Sequence, residues 1–183
     1  WLIAVPYTPQ RMLSLPAEVV YRKIVAAGQL AAGLGAQILA IAAGGASEPA
    51  PLTFGVGYAN RLQDDALGGF MPERFPHVVY MRDRPALPAA AQVLAADEEG
   101  RPAVFQVGGN ALGFIGHPGF KTAMAEDLIM EFEEAPDDPA PKLQELQLLV
   151  PEIEDALVPI MTGIIKVTGL MQARRRIPLS LKP

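Results

Sequence analysis

Two histidines, His77 and His117, are the side chains of this sequence best suited to move a proton near neutral pH. The chain has no cysteine, which removes a thiolate nucleophile, thiolate metal ligands and disulfides from consideration. Neither histidine belongs to an H-E-x-x-H pattern, so no metal site is predicted. His77 opens an apolar run after Pro76 and reads as a structural, hydrogen-bonded residue. His117 lies in "VGGNALGFIGHPG", immediately before a helix expected to begin at Pro118. Backbone amides in such a glycine-rich stretch, following the apolar run "AVFQV", approach an anionic or carbonyl ligand closely. Gly108, Gly109, Asn110 and His117 are therefore the candidate ligand-binding residues. A tight connection between strand and helix is the competing reading.

Other clusters point to less. Gly55 and Gly57 of "FGVGYAN" supply two glycines of a dinucleotide loop, but Asn60 stands where a third permits close helix–strand packing, so the stretch reads as a turn. Glu126, Asp127, Glu131, Glu133 and Glu134 crowd one predicted helix and its end, and read as a solvated face. "ARRR", Ala173–Arg176, is a basic helix end. With a net charge of −5 and no basic stripe, phosphate repulsion argues against a nucleic-acid partner.

The elements that position these residues alternate between strand and helix. "WLIAV" reads as a buried strand, followed by a helix from Pro16 to Gly33 or Gly35 and a second strand, "AQILAIAA". "LTFGV", "HVVYM" and "AVFQV" read as further strands. "ANRLQDDAL" and "PALPAAAQVLAADEE" read as helices. A helix from Pro118 to about Glu134, the linker "APDDPAP" and a helical tail interrupted at Pro151 and Pro159 complete the chain. The expected fold is α/β: a small, mainly parallel sheet with flanking helices and a helical C-terminal segment. Its divisions are a core over 1–134, a linker over 135–141 and a tail over 142–183. Between Lys23 and Glu48 the chain carries no charge, but its glycines and alanines suit a soluble core better than a membrane span. A cytoplasmic location is expected, because no leader pattern precedes the fold.

Two segments carry a family resemblance. "VPYTPQRMLSLPAEVVYRKIVAAGQLAAGLGAQILAI" and "VFQVGGNALGFIGHPGFKTAMAEDLIMEFEE" resemble the end segments of long-chain acyl-(acyl-carrier-protein) reductases and of quinate/shikimate-dehydrogenase-like proteins. The resemblance implies a Rossmann domain between the segments, a "G-A-T-G-x-I-G" cofactor loop and an acyl-accepting cysteine. None of these is present: the intervening span is too short, the loop is missing, and the cysteine aligns with Ala123. A "G-x-F-T-S" stretch aligns with Ala42–Ala46 and has lost its hydroxyls.

The resulting expectation is a degenerate relative with no catalytic residue and no cofactor, acting as a subunit that binds a protein or an acyl or other apolar ligand. Two alternatives stand beside it: an NAD(P)H-dependent reductase whose cofactor domain lies outside this sequence, and a small membrane-associated subunit. The tail carries one apolar stripe at Leu149, Ile153, Leu157, Ile160, Ile164, Val167 and Met171. A second runs through Leu146, Val150, Val158, Met161, Ile165 and Leu170. Burying both predicts a homo-oligomer or a protein partner, with Met161 and Ile165 in the contact.

Overall fold

The computed structural model describes residues 29–132 and 134–169. The strand expected at "WLIAV", most of the first expected helix and the basic run "ARRR" lie outside the described residues.

The uncharged stretch folds in the reverse order to the one expected. Gln29–Ala32 form strand β1, and Leu34–Ala42 form helix α1, with Gly33 between them. Alanine and leucine favour a helix once one is nucleated. In α1 they bury Ala36, Leu39 and Ala40 completely against the sheet. Strands β2 (Ala46–Glu48), β3 (Thr53–Arg61), β4 (Arg74–Met81) and β5 (Arg84–Ala86) follow, with a short turn of 3-10 helix at Ala66–Gly69. The segment "PALPAAAQVLAADEE", expected as a helix, holds β5 and strand β6 (Gln92–Asp97). "ANRLQDDAL" likewise runs from the end of β3 into a loop.

Strands β7 (Pro102–Val107) and β8 (Ala111–Phe114) complete a six-stranded sheet in the order β1-β8-β7-β6-β3-β4, while β2 and β5 form a separate ribbon. The α/β class is as expected, but the sheet is mixed: β1 with β8 is its parallel pair, and the other ladders are antiparallel. Hairpin turns at Gly100 and at Gly108–Gly109, all with positive φ, make those antiparallel returns possible. Beyond β8 the chain crosses back, with the Ile115 amide donating to Ala103 O at 2.9 Å and the His117 amide to Val78 O at 3.1 Å. The sheet therefore curls until the end of β8 meets β4.

Helices α2 (Thr122–Glu131) and α3 (Pro139–Thr168) follow. Pro139 sits at the start of α3, and Gly169 ends it in a left-handed conformation. Pro151 and Pro159 lie inside α3 without breaking it. Each removes one helical hydrogen bond, and the buried stripe Leu146, Ile153, Ile160 and Ile164 holds the helix on the sheet. The core has two main layers. Leu30, Leu94, Val104, Leu112 and Phe114 meet Ile160 and Ile164 of α3. Ala31, Phe105, Val107 and Ala111 meet Leu39 and Ala40 of α1 on the opposite face. On α3, Val158 (69% exposed) and Met161 (36%) face outward, and Ile165 is half-buried. Among the described residues no helix is long and apolar enough to cross a membrane.

Candidate functional site: a glycine elbow beside a cleft

The turn between β1 and α1 is made by Gly33, with φ 55° and ψ −120°. An L-residue reaches that conformation only with strain. A sharp strand-to-helix turn of this kind is how α/β hydrolases raise a nucleophile above a sheet, with the next backbone N–H stabilising negative charge. Here the elbow carries no side chain, and a Cβ built on Gly33 would meet nothing within 4 Å. The sequence marks Gly33 as a residue needing a left-handed backbone; it starts a helix where the end of one was expected.

The elbow's backbone amides are donors. Gly33 N–H is bonded to Phe114 O at 2.9 Å, while Ala36 and Gln37 donate back to Gly33 O. The amides of Leu34 and Gly35 open the helix, have no partner within it, and lie at its positive end.

The first turn of α1 borders a cleft of about 800 Å³ lined by Leu34, Gln37, Tyr80, Arg82, Asp83 and Phe132, among others. The buried Gln37 fixes one wall by donating to Arg82 O at 2.8 Å. Asp83, at φ 61°, accepts from the Ala50 amide at 3.1 Å and shapes the corner. An ion pair between Arg82 and Glu134 spans two lining residues. The Tyr80 hydroxyl is buried with no hydrogen-bond partner among the described residues, and burial raises its pKa.

His117 follows β8, the strand paired with β1, so it leaves the sheet at the same end as Gly33. Its Nδ1 accepts the Gly119 amide at 3.3 Å. This pattern assigns the proton of the neutral ring to Nε2, making Nε2 a donor. A general base of the serine- or cysteine-hydrolase kind needs the opposite tautomer, with Nδ1–H held by an acceptor. Burial also lowers the His117 pKa, keeping the ring neutral.

The other predicted site residues are not gathered here. Gly108 and Gly109, with φ of 62° and 85°, form the β7–β8 turn next to Asn110. That turn lies at the opposite end of β8 from His117. Ala123 is exposed in the first turn of α2 and does not line the cleft. On the acidic face, Glu126, Asp127 and Glu131 are exposed, Glu134 pairs with Arg82, and Glu133 lies outside the described residues. Gln37, Tyr80, Arg82 and Asp83 belong to no motif and converge only through the fold.

His77 occupies a different cavity, and burial lowers its pKa to about 4, with Asp97 opposing the shift and Arg101 adding to it. The unfolded imidazole titrates near 6.5. Stability is thus complete above pH 6.5 and declines as pH falls toward 4, because the unfolded chain takes up a proton that the folded one refuses. The expected loss is on the order of 2 kcal/mol after allowing for partial exposure. Denaturant titrations at several pH values, with His77→Phe as the reference, measure it. An identical pH slope in both proteins contradicts this assignment.

No protein-family model and no curated protein matches the sequence. Solved structures do match in fold. The crystal structure of SMU.1228c is 17% identical, with 89% of this chain covering 75% of that one at a TM-score of 0.67. A glutamine amido transferase from Methylobacillus flagellatus is 18% identical, with 89% of this chain covering 70% of it at 0.66. A glutamine amidotransferase from Thermotoga maritima is 19% identical, with 81% covering 66% at 0.62. The fold is therefore the one seen in glutamine amidotransferase structures. This overturns the resemblance to acyl-(acyl-carrier-protein) reductases and shikimate-dehydrogenase-like proteins, together with the oxidoreductase-derived binding role and its alternatives. The shared "L-A…L-G-A" pattern spans a strand, an elbow and a helix here, where that resemblance expected a helix leading into a strand.

Proposed function

We propose that this chain is an amidotransferase-type domain whose elbow binds a carboxamide without attacking it covalently, with a glutamine side chain as the ligand. The observation that carries the reading is Gly33: the strained turn and the amides of Leu34 and Gly35 are kept, while the position for a nucleophile is bare. The amide carbonyl accepts from those N–H groups at the helix's positive end, where partial negative charge is favoured. The cleft beside the elbow receives the rest of the molecule. A neutral His117 with its proton on Nε2 suits donation to a carbonyl better than proton abstraction. A cytoplasmic setting is part of this proposal.

The test is calorimetric titration with L-glutamine, paired with an assay for released ammonia. Saturable binding with a Kd on the order of 1 mM or tighter, about 4 kcal/mol, is expected, with no ammonia above the uncatalysed rate. Steady ammonia release would overturn the non-covalent reading, and absence of binding would overturn the ligand.

A further inference from the structure

Strand β3 has two partners for only part of its length. Its ladder with β4 runs from Thr53 to Asn60, but its ladder with β6 covers only Ala59–Arg61, because β6 ends at Asp97. The main-chain directions follow from two bonds. Arg61 N–H donates to Glu73 O at 2.8 Å, so odd-numbered β3 residues bond toward β4. Leu62 N–H donates to Leu94 O at 2.9 Å, so even-numbered residues face the β6 side. Past the end of β6, the N–H and C=O groups of Phe54, Val56 and Tyr58 therefore point into the space beside the sheet.

That space is a cavity of about 330 Å³, lined by every residue from Thr53 to Tyr58 and by the β6–β7 turn. A strand seen face-on would contribute alternate residues; six in succession show that the cavity reaches the edge, and His77 and Val79 of β4, in register with Gly57 and Gly55, show that it continues over the face beside it. Gly55 and Gly57 bare one flank. Neither has a positive φ, and a Cβ at either would meet its nearest neighbour only at 4.0 or 3.8 Å, so packing does not require glycine there. Glycine inside a strand weakens it unless another backbone comes close. Most lining charges are already paired: Arg101 with Asp97 and Glu99, Glu98 with Arg74, and Lys142 with Glu145. Arg84 is in register with Glu48 across the β2–β5 ribbon but makes no ion pair among the described residues.

We propose that the β3 edge at Phe54–Tyr58 is a strand-addition site for an extended peptide bearing a carboxylate that pairs with Arg84. Main-chain bonds to the N–H and C=O groups of Phe54, Val56 and Tyr58 that point past the end of β6 supply the affinity, and the unspent guanidinium selects an acidic peptide over a basic one.

The experiment is a nitrogen-15 NMR titration of the whole chain with an acetylated hexapeptide alternating valine and aspartate. Three comparators are the same peptide N-methylated along its pairing edge, a version with lysine replacing aspartate, and the Arg84→Glu protein. Saturable shifts at the Phe54, Val56 and Tyr58 amides are expected, absent with the N-methylated and lysine peptides and weakened about tenfold by Arg84→Glu. Failure of those amides to respond, equal binding of the N-methylated or lysine peptide, or unchanged affinity in Arg84→Glu would each overturn the proposal.

Discussion

Gly113→Val is expected to destabilise the protein by about 3 kcal/mol or more, a fall of roughly 6–12 °C in melting temperature for a chain of this size. Gly113 pairs with Phe105 across the β7–β8 ladder, and the Phe105 ring lies directly over it. A Cβ there would come within 3.0 Å of three ring atoms. Phe105 is fully buried between the sheet and α1 and has no free volume to retreat into. Because the cost is a collision between two named side chains, it is coupled: Gly113→Val and Phe105→Ala together should cost less than the sum of the two changes made singly. A Gly113→Val protein that melts within about 2 °C of wild type would show that the strands separate more easily than this packing allows.

Gly33→Cys is expected to create a reactive thiol but not a working hydrolase. The new residue would be the only cysteine in the chain, at the positive end of α1, where the thiolate is stabilised. It should be alkylated by iodoacetamide faster than free cysteine at pH 7, at a backbone strain cost of about 1–3 kcal/mol. Glutamine hydrolysis should stay at background, because His117 Nδ1 accepts from Gly119 rather than donating to an acceptor. Adding Gly119→Glu supplies such an acceptor. A Cβ at 119 meets only Leu157 at 3.4 and 3.5 Å, and a charge-assisted bond outweighs the long amide contact. The double variant should release ammonia at least about a hundredfold faster than Gly33→Cys alone, recovering part of the roughly 10⁴-fold that a wrong histidine tautomer costs a hydrolase. Equal rates in the two would contradict the tautomer assignment.

The sequence was legible where side-chain chemistry opposed alternatives. β-Branched and aromatic runs at "HVVYM" and "AVFQV" became strands, and the stripe Ile153, Ile160 and Ile164 became the buried side of α3. It misled where alanine dominated. β6 is built from "QVLAAD", and alanine's helical preference lost to burial between β3 and β7. In "QLAAGLGAQILAIA", burial on both sides erased the periodicity that separates strand from helix. Gly33 was nonetheless identifiable as a residue needing a left-handed backbone. The walls of the cleft were not legible, because Gln37, Tyr80 and Asp83 come from α1 and the β4–β5 corner and meet only once the sheet has curled.

Leu34→Pro removes the first of the two free amides at the head of α1 that are proposed to hold a carboxamide, and Leu34→Ala controls for the loss of a side chain that lines the cleft. Proline is tolerated at the first helical position, where its missing N–H removes no helical bond. Calorimetric titration of wild type and both variants with L-glutamine, each first shown folded by circular dichroism, is the direct measurement. Saturable binding by wild type and at least a tenfold loss, about 1.4 kcal/mol, in Leu34→Pro are expected. Affinity in Leu34→Pro equal to that of wild type or of Leu34→Ala, or no heat from wild type up to about 10 mM ligand, would contradict the proposed binding.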